Sequence, residues 1–346
     1  MDSITQMALG ATLQGALLGR WQGRKALLYG ALLGTLPDLD VLIDYRDAVD
    51  WMTHHRGFSH SLLFLSGLAA LLTWLVRRRY PHAGYSTQRL LLTLWLVLVT
   101  HPLLDCFTSY GTQFFWPLNS PPVAWSTVFI IDPLYTLPLL AAIAIGLLQG
   151  LRGRASVWPL TALGLSCLYL AFTVAGKVMA EARVEPLLAQ QGIRLQALFS
   201  APTPFNSLLW RVVVIDGNDY HEALVSWFDE QPPRLERIPR GTALAAPLTD
   251  SPQWQRLRWF TGDVLRYDRL GAALVVTDLR LGMTGYHPFR FVMAEWRGGG
   301  WQLAPVVNRW PSERGDLAQL RLLWTRIWDE RQTVPLAQWA RELEQR

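Results

Sequence analysis

Four groups of ionisable side chains interrupt the apolar first half of this 346-residue sequence. They are Pro37-Asp38-Leu39-Asp40, His54-His55-Arg56-Gly57-Phe58-Ser59-His60, His101-Pro102-Leu103-Leu104-Asp105, and Asp132 ahead of Pro133. Ionisable groups in or beside apolar spans are costly and usually line a site. His101 and Asp105 are four apart, so a helix puts them on one face, where both can reach one ion. His55 and His60 flank a turn containing Gly57, a spacing suited to bringing two imidazoles together. Imidazole and carboxylate donors without thiolate suit Zn²⁺, Mn²⁺ or Fe²⁺. More than four candidate ligands point to two or more ions. On this reading Asp38, Asp40, His55, His60, His101 and Asp105 are metal ligands.

Other residues near these clusters have plainer readings. Arg56 either anchors at the headgroup level or clamps a phosphate by paired hydrogen bonds. Asp132 before Pro133 reads as a helix N-cap with Pro at the first position, or as a group that ligates or orients a ligating His. Arg56 and Asp132 are the candidate catalytic residues. Asp44, Asp47 and Asp50 read as a solvated face. Ser59 and Ser61 are weak nucleophile candidates, because a metal-activated water would suffice. His82 lies in an expected cytoplasmic loop away from the clusters, and His221 and His287, in the second half, have no partner motif.

The elements that carry these clusters are apolar. Residues 128–148 and 155–176 each reach the ~20 residues needed to cross a bilayer core. Segments 61–76 and 90–105 are shorter and also read as spans. Segments 4–19 and 26–43 are weaker and read as tilted or re-entrant helices buried among the others. The expectation is an α-helical integral membrane domain of five or six helices over 1–180. If the elements alternate, Arg20, Arg24, Lys25, Arg77, Arg78, Arg79, Arg89, Arg152 and Arg154 share one side, without an acid. All eight acids of this half fall on the other side or at its helix ends. The positive-inside rule then places the basic loops in the cytoplasm and the Asp/His clusters outside. Basic charge beside apolar spans sets topology rather than binding nucleic acid, so no nucleic-acid partner is expected. Cys106 and Cys167 form no CxxC pair or disulfide framework.

Residues 181–346 are charged and rich in Trp, and read as a soluble, mainly antiparallel β domain of α+β type. Leu208–Ile215 and Tyr220–Phe228 alternate around Asp216-Gly217-Asn218-Asp219, a hairpin signal. Further strands are expected at 255–260, 272–280, 289–296 and 301–306, with Gly298-Gly299-Gly300 as a turn. Helical patterns over 313–345 are split by Pro335. The tryptophans from Trp254 onward read as filling of a small β core rather than a binding surface.

MDSITQ, LPDLDVL, HHRGFSHSL, HPLLDCFTSYGT, FWPL and IIDPLY occur in series over residues 1 to about 150. In that order they resemble the YdjM-type predicted membrane-bound metal-dependent hydrolases. The resemblance implies a multi-helical inner-membrane protein with metal-binding Asp and His, and its motif positions fall on Asp2, Asp38, Asp40, His55, His60, His101, Asp105 and Asp132. It is through the resemblance that Asp2 joins the metal ligands. The family often opens D-x-x-T-H, and Gln6 stands here where that histidine would be. A more distant similarity to helical zinc-dependent phospholipases C and single-strand nucleases points to phosphoester hydrolysis. The expected function is therefore a metal-dependent hydrolase, with Zn²⁺ or Mn²⁺, acting on a phospholipid or related phosphoester at the outer face of the inner membrane. Membrane lipids are its expected partners, and the C-terminal domain is expected in the periplasm. A metal or proton transporter, or a metal-stabilised envelope scaffold, is the alternative.

Overall fold

The computed structural model describes residues 1–152, 157–313 and 315–343. Arg154 and the start of the 155–176 segment lie outside the described residues, as do 344 and 345 of the expected C-terminal helices. The chain divides into two compact units, Met1–Ile43 with His55–Thr173 and Asp44–His54 with Val174–Arg346.

The first unit is helical. Its elements are α1 (Ser3–Gln22), α2 (Lys25–Thr35), a 3-10 turn (Leu36–Leu42), a second 3-10 turn (Phe58–His60), α4 (Leu62–Arg79), α5 (Thr87–Cys106), α6 (Pro133–Gln149) and the start of α7 (Val157–Gln190). The short α3 (Ala48–His54) falls in the second unit. α1 packs on α2, α5 and α6. This enclosure explains its mixed composition, since Thr5, Gln6, Thr12 and Gln14 are all buried. Close approach to α2 needs glycine, because a Cβ on Gly30 would meet the Gly10 carbonyl and lie 2.8 Å from Gln14 Cβ. α5 and α7 are long and apolar enough to span a membrane, and residues 48–79 make a third span if the bent pair is counted as one. The segment expected to span at 128–148 forms only the 17-residue α6. Asp132 caps that helix with Pro133 at its first position, and the residues before it are not helical, so the apolar run is longer than the helix it builds.

The second unit contains two four-stranded antiparallel meanders, β1-β2-β3-β4 and β5-β6-β7-β8. The expected hairpin is β2 (Leu209–Asp216) with β3 (Asp219–Ser226), and Asp216 pairs with Asp219 around Gly217. β7 (Arg290–Arg297) turns into β8 (Gly300–Arg309) through Gly298 and Gly299, both at positive φ, as a type I′ turn requires. β2 is buried on both faces, not one. Ala180, Val184 and Leu188 cover one face against Trp210, Val212 and Val214, so α7 runs past residue 180 because it has a sheet to pack on. β1 (Ala197–Pro202), β4 (Glu236–Pro239) and β5 (Leu265–Leu270) are strands the sequence pattern did not reveal. The strand expected at 255–260 is instead helix α8 (Pro252–Thr261). Ser251 accepts from Trp254 N, Pro252 opens the helix and Gly262 closes it at positive φ. α9 (Leu317–Trp328) and α10 (Leu336–Glu342) are separated at Pro335, as expected, and β6 (Ala273–Asp278) falls within 272–280.

Candidate metal centre

All the atoms of this centre belong to the first unit. α5 ends in His101 and Asp105, and their i, i+4 spacing brings His101 Nε2 to 3.5 Å from Asp105 Oδ2. The 3-10 turn after α2 supplies Asp38, whose Oδ1 lies 3.2 Å from His101 Nε2 and 3.3 Å from His60 Nε2. His60, from the second 3-10 turn, also stands 3.3 Å from Asp105 Oδ2. One ligand atom from each of Asp38, His60, His101 and Asp105 thus falls within 4.8 Å of every other. A second group, Asp38, Asp40 and His55, meets the same condition and shares Asp38.

The hydrogen bonds around the first group set which atoms are free. His101 Nδ1 lies 2.6 Å from the Gly34 carbonyl, which can only accept. His101 therefore carries a proton at Nδ1, which leaves Nε2 as its atom for a ligand. Ser59 Oγ donates to Asp40 Oδ2 at 2.8 Å, so at 2.9 Å it accepts from His60 Nδ1. His60 is thereby held in the same tautomer. Asp105 turns Oδ1 to Gln6 Nε2 at 3.1 Å and to the Met1 amino group, leaving Oδ2 toward the imidazoles. Asp38 Oδ1, His60 Nε2, His101 Nε2 and Asp105 Oδ2 are all buried, and none makes a hydrogen bond. Four buried, converging donor atoms that make no hydrogen bond are costly unless something binds them. Two imidazole nitrogens and two carboxylate oxygens fit a four-coordinate divalent ion. Asp38 is 21% exposed whereas the other three side chains are 1% or less, so access runs past Asp38.

Both Asp40 oxygens are engaged. Oδ1 faces His55 Nδ1 at 2.9 Å, and Oδ2 takes Arg56 N at 3.0 Å as well as Ser59. Asp40 thus orients His60 of the first group through Ser59. Arg56, at φ 62, is buried with Nε 3.3 Å from Asp105 Oδ2, one amino group on Thr108 and its plane 4.9 Å from the Tyr110 ring. It is no headgroup anchor; it is a fixed positive charge beside the ligand cluster.

The two remaining candidates are not brought into either group. Asp2 caps α1, accepting from Ile4 N and Thr5 N, and Asp132 caps α6 and accepts from Tyr169 Oη at 2.8 Å. Thr5 Oγ1 and Thr136 Oγ1 meet at 2.7 Å and join the two caps. Asp47, expected on a solvated face, is buried and caps α3. His54 falls in the second unit, stacked on Tyr45. The orienting role of Ser59, the Gly34 carbonyl and Tyr110 were not read from the sequence. Only Ser59 carried a signal, as the residue next to His60.

Residues 1–180 match the family described as YdjM inner membrane protein. The chain belongs to that family. Over 314 residues it is 27% identical to the uncharacterized protein YfhP of Bacillus subtilis (strain 168), covering 84% of this chain and 89% of the relative. Over 96 residues it is 38% identical to the inner membrane protein YbcI of Escherichia coli (strain K12), covering 27% of this chain and 54% of that protein. No solved structure matches. The match to the YdjM family covers every residue of the centre, and the similarity to YfhP extends through most of the second unit's length as well.

Proposed function

We propose that this YdjM-family protein is a metal-dependent hydrolase of the inner membrane, acting on a phosphoester such as a phospholipid, with its centre at the outer face. One observation carries the reading: Asp38, His60, His101 and Asp105 bring together four buried donor atoms that make no hydrogen bond. That set, free of thiolate, suits Zn²⁺ or Mn²⁺. Asp38, Asp40 and His55 would hold a second ion. A divalent ion here would supply Lewis acidity and lower the pKa of water, the usual requirement for hydrolysis at neutral pH.

The chain's own residues do the rest. Gly34 and Ser59 fix the imidazole tautomers, and Gln6 holds the Asp105 carboxylate. The Arg56 guanidinium provides positive charge next to Asp105, where a phosphoryl group reaching the ligands past Asp38 gains charge stabilisation. The outer-face assignment is supported by the segregation of basic and acidic residues along the first 180 residues, and the same reading assigns the residues after 180 to the periplasm.

The test is elemental analysis of the detergent-purified full chain, with phosphoester and lipid hydrolysis measured on the same sample. Stoichiometric Zn²⁺ or Mn²⁺ is expected, absent in His60→Ala and Asp105→Ala and retained in His82→Ala. Ser59→Ala should keep the fold and weaken metal binding about 10- to 100-fold, as loss of an orienting partner does. Full hydrolytic activity in metal-free protein would end the proposal.

A further inference from the structure

Arg89 and His101 are both on α5, about 18 Å apart by the rise of an α-helix. At the Arg89 end a different cluster forms. The Trp21 ring, at the end of α1, carries the guanidinium of Arg20 at 5.7 Å and that of Arg89 at 4.9 Å. Tyr85 meets Trp21 edge-on at 6.0 Å and carries Arg77, from the end of α4, at 5.0 Å. Arg77 also donates to the Tyr85 carbonyl, while its Nε is buried with no hydrogen-bond partner. Arg89 reaches the Leu17 carbonyl at 3.5 Å. Among the described residues none of the three guanidinium groups is in an ion pair. Three like charges gathered on two rings repel one another unless an anion joins them.

The flanks say which anion. Trp74 and Leu75 of α4 and Leu91 and Leu92 of α5 are exposed large apolar side chains, and Arg78 lies 5.4 Å over Trp74. A cationic cluster beside exposed apolar helix faces is complementary to a charged headgroup with acyl chains attached. We propose that Arg20, Arg77 and Arg89, seated on Trp21 and Tyr85, form a binding site for the phosphate headgroup of an anionic phospholipid. The rings keep the guanidinium groups in place and weakly hydrated, so less ordering remains for the lipid to impose. This site is separate from the metal centre and does not depend on hydrolysis.

Native mass spectrometry of the full chain in detergent, titrated with phosphatidylglycerol or phosphatidylcholine, tests it. Phosphatidylglycerol should bind at least about tenfold more tightly, a size expected when several juxtamembrane basic groups engage one headgroup. Arg77→Gln with Arg89→Gln should remove the preference, and Lys25→Gln, a basic residue outside the cluster, should not. If the double variant fails to fold, Arg20→Glu decides, since Arg20 is exposed and its change leaves both rings in place. Equal binding of the two lipids overturns the site, as does a preference that survives Arg20→Glu. So does inorganic phosphate displacing the lipid at equal concentration, which would make the site one for free anions.

Discussion

Asp2 and Asp132 separate capping from ligation at the level of single atoms. A cap uses the carboxylate oxygen as a hydrogen-bond acceptor, which an amide oxygen replaces; a metal ligand uses its charge, which an amide does not. Asp2 Oδ1 accepts from two backbone N–H groups of α1, and Oδ2 takes Thr5 Oγ1 at 2.5 Å. Asp2→Asn is therefore expected to leave stability almost unchanged, and Asp2→Ala to lower it by about 1 kcal/mol. Both should keep the metal content of the parent, measured beside thermal unfolding in the same detergent. Loss of metal from Asp2→Asn would return Asp2 to the ligands. The cap still matters to the site, since it starts the helix that four residues later places Gln6 on Asp105 and on the His101 carbonyl.

Whole elements transmit the same dependence, because the candidate ligands Asp38, His60 and the His101–Asp105 pair sit on three separate pieces of chain. α2 leads into the turn that bears Asp38 and Asp40, and its closest contact with α1 is glycine on glycine. Gly30→Ala forces the helices apart, an overpacking expected to cost about 1–3 kcal/mol and to move Asp38 relative to His101. The variant should lose both thermal stability and metal, whereas Gly67→Ala, where a Cβ meets nothing, should lose neither. This contact was not legible in the sequence, where Gly10 and Gly30 look like two of many glycines. His101 and Asp105 were legible because both lie on one helix, and i, i+4 spacing is a local rule. Joining them to Asp38 and His60 took the chemistry of buried charge, not periodicity. At Ser251–Gly262 the local rule misled, since Leu257 and Trp259 alternate as in a strand while Ser251, Pro252 and Gly262 hold the caps of a helix.

The molecule as a whole divides its chemistry between the two units. The candidate ligands lie within one, and the second responds to acid for an unrelated reason. His287 is fully buried there, with Nδ1 2.8 Å from the Leu281 carbonyl. Burial holds its pKa well below the ordinary value, and the nearby charges of Arg211, Arg266 and Arg290 push the same way. Its folded pKa lies below the unfolded one, so the stability of the neutral form is fully present above about pH 6.5 and is lost as pH falls through the window beneath. In that window the unfolded chain takes up a proton that the folded chain refuses. His221, shifted down by burial, adds to the same trend. Hydrogen exchange read by mass spectrometry on the full chain tells the two units apart. Between about pH 7 and 5, after correction for intrinsic exchange rates, peptides from β2–β3 and β5–β8 should lose protection, and His287→Gln should reduce that loss. Chelation at constant pH should instead expose peptides covering residues 34–43, 55–60 and 98–106, because an ion that binds only the folded centre stabilises only that unit. Chelation that loosens the β-strands as much as the ligand segments would show that the metal supports the whole chain, contrary to a centre assembled from the first unit alone.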